Sequence, residues 1–233
     1  MGLQERNAPA ASSTSASLLC TTVRAGTVGD AVANLPALPS RPRGDDFLSS
    51  SRLAVSHTPF DRQWDRVSGA RLKTRAVAGL NLSQASTDLV VRMEAVNAWA
   101  NGHIRYEEDE SLYGRRDYWA NAAETLRHRA GDCEDIAILK YQLLAAAGVS
   151  RDAMFLTVAR DLVRHADHAI LLVRDGTKFW LLDNSTNALI DGASAQDYRP
   201  IFSYNERGKW LHGYRGDLAK APGQIPAPAF NAR

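Results

Sequence analysis

The sequence predicts an α+β fold in which helices come first and pack on a small antiparallel sheet. Three observations predict it. Residues 87–100 and 133–147 repeat apolar side chains at helical spacing, and after Gly148 the pattern changes to short β-branched and aromatic runs. Asp175-Gly176-Thr177, lying between two of those runs, is hairpin chemistry.

Residues 1–45 are rich in Ala, Ser, Thr and Pro, with few aromatics and no periodicity, so a disordered or processing segment is expected there. The run ASLLC at 16–20 superficially resembles a lipoprotein cleavage site, but it lacks the basic start and the apolar stretch of ~7–15 residues that export signals carry. The folded part is expected over 50–214, followed by a flexible Pro- and Ala-rich tail at 215–233.

Within the folded part a short Trp-bearing segment covers Phe60 to Val67. The first strong helix starts at Thr87 or Asp88 and places Leu89, Met93, Val96 and Ala100 on one face. Asn97 and Asn101 fall close together on a different face. Residues 102–118 are polar and broken by glycine, which predicts a long loop or short extended pieces. A helical turn or two at 119–131 leads into the next helix, which carries Ile136, Leu139, Leu143, Leu144 and Ala147 and stops at Gly148. Strands are predicted at Met154–Ala159, His168–Arg174 and Lys178–Asp183. Counting through the turn between the last two puts Asp183 within about two residues of the position across from His168, near enough for a carboxylate–imidazole hydrogen bond. The parity of that register is left open.

A net charge of +2 with scattered basic residues does not point to nucleic acid. No stretch approaches the ~20 apolar residues of a membrane span, and a soluble protein is expected. Two cysteines cannot form a disulfide framework. Because Cys20 lies in the Ser/Ala-rich segment, a bond between it and Cys133 is not expected, and Cys133 reads as a free thiol.

Cys133 sits in the run Gly-Asp-Cys-Glu-Asp at 131–135, where a helix begins. Backbone N–H groups without intrahelical partners and the positive end of the helix dipole favour a thiolate there. Asp132, Glu134 and Asp135 oppose that ionisation. A divalent cation held by their oxygens would offset them, and hard oxygen ligands suit calcium better than zinc. Acidic residues are also favoured in a first helical turn for their own sake. A helix-start cysteine, a strand histidine (His168) and a hairpin-opposed aspartate (Asp183) supply nucleophile, base and orienter of the base. His165 and Asp167 rank second for the base. The oxyanion donor is expected to be the backbone N–H of Cys133, and Trp119 and Trp99 are expected in the core or anchoring loops.

The stretches VNAWANGHIRYEEDESLYGRRDYWANAAETL, GDCEDIAILKYQLLAAAGV, HAILLV, WLLDN and YRPIFSYNERGKW resemble the bacterial transglutaminase-like cysteine peptidases over most of residues 60–212. That group includes the LapG-type periplasmic proteases, which release biofilm cells by cutting large surface adhesins. The resemblance implies a papain/transglutaminase-like fold with Cys133 as nucleophile, His168 as base and Asp183 as third member. It also implies calcium at Asp132, Glu134 and Asp135, a protein substrate such as a surface adhesin, an inner-membrane regulatory receptor, and a periplasmic location. Two other activities share these residues: acyl transfer to an amine, as in a transglutaminase, and a non-catalytic calcium-responsive binding module.

Overall fold

The computed structural model describes residues 47–72 and 88–214. The expectations for 1–45 and 215–233, and for Cys20, lie outside the described residues. Strand β1 (Ser51–Val55) is followed by helix α1 (Asp61–Ser68). Helix α2 (Leu89–His103) begins where the sequence placed it, because the Asp88 side chain accepts from the Val90 N–H and caps the first turn. The polar segment after it holds β2 (Arg105–Tyr106) and a short helix α3 (Asp109–Tyr113), which ends at Gly114 with a φ of 64°. Helix α4 (Ala122–His128) starts on a full capping box. Asn121 accepts from the N–H groups of Ala123 and Glu124, while the Glu124 side chain reaches back to the Asn121 N–H.

After β3 (Ala130–Gly131) comes α5 (Cys133–Ala146). The sequence predicts one apolar face for it. Instead every residue from Cys133 to Leu144 is buried, Lys140 and Gln142 included, so α5 is the central helix of the molecule. Gln142 is satisfied by accepting from the Ala122 N–H and donating to the Val67 carbonyl.

The strands that follow are β4 (Met154–Asp161), β5 (Ala166–Asp175), β6 (Lys178–Leu182), β7 (Ile190–Asp191), β8 (Tyr198–Asn205) and β9 (Gly208–Gly213). With β1 they form, among the described residues, a seven-stranded antiparallel sheet in the order β1-β9-β8-β4-β5-β6-β7. The sheet thus has four strands beyond the three read from the sequence. Its two faces bury different cores. Leu156, Leu171, Val173 and Leu182 pack beneath Ile136, Leu139 and Leu143 of α5. Phe155, Ile170, Leu172 and Phe179 pack on the other side with Phe47 and Leu48. No helix among the described residues is long and apolar enough to cross a membrane.

Candidate active site

Cys133 is the first residue of α5 and is almost fully buried, at 3% exposure. Its helix start is held from both sides. Asp132 is the N-cap, and its Oδ1 accepts from the Asp135 N–H at 3.4 Å. Asp135 turns back and accepts from the Ala120 N–H at 2.6 Å, tying the cysteine's turn to the start of α4. Gly131 makes this possible: a Cβ there would lie 2.6 Å from the Asp135 Cβ and 2.7 Å from its Oδ2. The glycine of the Gly-Asp-Cys-Glu-Asp run is therefore needed for close approach.

The sulfur of Cys133 is engaged in a disulfide, which corrects the expectation of a free thiol. The Sγ lies 3.0 Å from Oε2 of Glu134. A disulfide sulfur has no proton to give, so this contact becomes a hydrogen bond on reduction, or when Glu134 itself carries a proton.

His168 and Asp183 come together as the hairpin count anticipates. The β5–β6 register pairs Leu171 with Leu182, which places His168 opposite position 185 and makes Asp183 its diagonal neighbour. Nε2 of His168 lies 2.9 Å from Oδ1 of Asp183. Because a carboxylate only accepts, the Nε2 proton points at Asp183 and the lone pair of the neutral ring is left on Nδ1. The Ser185 N–H also donates to Oδ1, and the Tyr198 hydroxyl donates to Oδ2. Burial alone would push the Asp183 carboxyl up, but His168, Tyr198 and Ser185 together hold it well below the usual carboxylate range. Tyr198 further stacks on the His168 ring, with centroids 6.0 Å apart.

His168 alternates along β5 with Ile170 and Leu172, whereas α5 packs on the face of Leu171 and Val173. The residue paired with His168 is Ala159, and the adjoining β4–β8 ladder shifts register between Val158 and Ala159. The β4–β5 pairing itself runs unbroken through His168. The rival residues go elsewhere: Asp167 pairs with Arg160 at 3.1 Å, and His165 sits exposed in the β4–β5 turn with a φ of 55°. Trp119 is a core residue stacked on Phe60. Trp99 stacks on His103 and packs against the helix-side core.

The acidic group differs from the expected set. Carboxylate oxygens of Asp109, Asp132 and Glu134 all lie within 4.8 Å of one another, and Asp109 comes from α3. Asp135 is not in this cluster; its Oδ1 accepts from the Ala120 N–H, and its Oδ2 is buried without a hydrogen-bond donor among the described residues. Sequence reading missed Asp109 because its segment read as a polar loop. It missed Tyr198 because no strand was assigned there, although β-rich spacing around 198–205 carried the signal. Burial, then the charge of Asp117, pushes Asp109 up to about 7; burial, then Asp109, pushes Glu134 up to about 8. Burial and Glu134 raise Asp132 as well. Oδ1 of Asp109 is buried without a hydrogen-bond donor among the described residues. An all-oxygen group that repels itself and leaves an acceptor unmet fits a hard divalent cation.

Lys140, two turns along α5 from Cys133, is 1% exposed. Burial pushes its ammonium down to about 7, opposed by the Asp183 charge.

The model of the family described as bacterial transglutaminase-like cysteine proteinase matches residues 67–212. Among solved structures, Legionella pneumophila LapG is 28% identical, covering 66% of this chain and 88% of its own, with a TM-score of 0.52. Its calcium-bound form is 27% identical, covering 71% and 94%, with a TM-score of 0.53. An EGTA-treated form of the same protein matches at 28% identity, covering 66% and 86%, with a TM-score of 0.52. Among curated proteins none matches.

Proposed function

We propose that this chain, which belongs to the bacterial transglutaminase-like cysteine proteinases, is a calcium-dependent endopeptidase working through Cys133, His168 and Asp183. Family membership makes it a cysteine peptidase with a protein substrate. The observation that carries the residue assignment is the His168–Asp183 hydrogen bond, which supplies an oriented base.

The cycle starts from reduced Cys133. The thiolate attacks the carbonyl carbon of the scissile peptide, and the backbone N–H of Cys133, which has no intrahelical acceptor, faces the developing oxyanion. His168, protonated on both nitrogens in the ion pair, gives the Nδ1 proton to the leaving amine as the C–N bond breaks. Water then loses a proton to Nδ1 and its hydroxide adds to the thioester; the C–S bond breaks and the thiolate returns. Asp183 keeps Nε2 protonated throughout and stabilises the imidazolium.

Asp109, Asp132 and Glu134 are the residues to hold calcium. When bound it supplies charge neutralisation at the helix start. The calcium-bound form of LapG supports this reading. The substrate we propose is a large cell-surface adhesin, cut in the periplasm under the control of an inner-membrane receptor, as the motif resemblance implies. Incubating the reduced protein with the retention-module fragment of such an adhesin, with and without calcium, tests it. Calcium-dependent cleavage that disappears in Cys133→Ala is expected; cleavage retained by that variant rejects the mechanism.

A further inference from the structure

The β5–β6 ladder ends at Leu171 and Leu182, so the main chain that carries Asp183 lies just past the last strand pair. What holds it is α2. Asn101 Nδ2 lies 2.9 Å from the Asp183 carbonyl and 2.8 Å from the Thr186 carbonyl, and Asn97, one helical turn earlier, donates to the same Thr186 carbonyl at 2.9 Å. Carbonyls only accept, so both amide nitrogens must face this turn. The Oδ1 atoms of Asn97 and Asn101 are thereby left buried without a donor among the described residues. An unmet buried acceptor is unfavourable, and at Asn97, with 0% exposure, packing alone would favour an apolar side chain. The amides are therefore explained by the turn they grip.

Helix α2 also packs along α5, whose first residue is Cys133. One element thus touches both the helix of the sulfur and the turn of the carboxylate. The Asp183 side chain takes its donors from His168, Ser185 and Tyr198, none of them on α2, so any influence of α2 runs through the backbone.

We propose that Asn101, backed by Asn97, is a positioning residue that fixes the 183–187 turn to α2 and so sets the Asp183 carboxylate against His168. This rests on the catalytic reading above. Asn101→Asp keeps the side chain's size and removes its donor. In reduced protein the readouts are kcat and KM for peptide cleavage, and the pH profile of iodoacetamide alkylation at Cys133 followed by peptide mass. The expected result is a kcat lowered about 10²-fold with KM near that of the unaltered protein, as for other small misplacements of catalytic groups. The alkylation profile should shift toward that of an ordinary thiol, as in Asp183→Asn. If Asn101→Asp does not fold, Asn97→Asp is read in the same way. A variant with a lowered Tm but unchanged kcat and alkylation profile overturns the positioning role. Were Asp183→Asn itself to change neither readout, the fault would lie with the catalytic reading on which the inference stands.

Discussion

The His168 imidazole donates from Nε2 to Oδ1 of Asp183 across 2.9 Å, and this bond fixes which ring nitrogen is left to accept a proton. Asp183→Asn replaces that acceptor with an amide that can turn its NH₂ toward the ring and select the wrong tautomer. Peptide cleavage should fall by roughly two to four orders of magnitude, and Tyr198→Phe by about tenfold, read as kcat/KM on one substrate.

The same carboxylate links stability to acid. Its folded-state pKa lies below the ordinary value, so its contribution is fully present above about pH 4 and is lost as pH falls through the folded-state value. Urea midpoints of the unaltered protein and Asp183→Asn should differ most at neutral pH and converge toward strongly acidic pH. A gap that stays constant with pH would contradict the assignment.

Because Cys133 is disulfide-bonded, peptidase activity should require a reductant. Protein prepared under oxidising conditions is expected to be inert toward substrate and toward iodoacetamide at Cys133, and to gain both reactivities with dithiothreitol. Equal cleavage rates before and after reduction would show that a disulfide at Cys133 does not hold the protein inactive.

Asp109 and Glu134 run the other way. Burial and mutual repulsion raise their folded-state values to about 7 and about 8, so the folded protein holds extra protons between roughly pH 4 and pH 8. Without calcium, stability should therefore fall as pH rises through that window. Calcium should flatten the slope, and Asp109→Asn should weaken this effect. Thermal melts from pH 5 to pH 9, with EGTA and with calcium, decide it.

Gly131→Ala places a methyl group against Asp135 and should lower stability by about 1–3 kcal/mol, with activity falling as the cysteine's turn shifts. Denaturant unfolding and kcat together measure this. A neutral substitution would mean that the turn relaxes freely.

What could be read without coordinates was local. The caps and periodicities of α2 and α5 and the two-residue turn after Asp175 follow from neighbouring residues, and with the turn comes the closeness of His168 and Asp183. What escaped depends on residues distant in sequence. Asp109 reaches Asp132 and Glu134 because α3 contacts β3, and Tyr198 reaches Asp183 because β8 pairs with β4, bringing it alongside Asp161. No periodicity encodes either. The disulfide of Cys133 escaped for a different reason, since composition limits the number of bonds without forbidding one.

Among the described residues, the edge strand β1 joins the sheet only through β9, with Ser51 opposite Gly213. During synthesis the earliest strand must therefore wait for the last one to leave the ribosome before the domain can close. This edge of the sheet is therefore the last to close in a nascent chain.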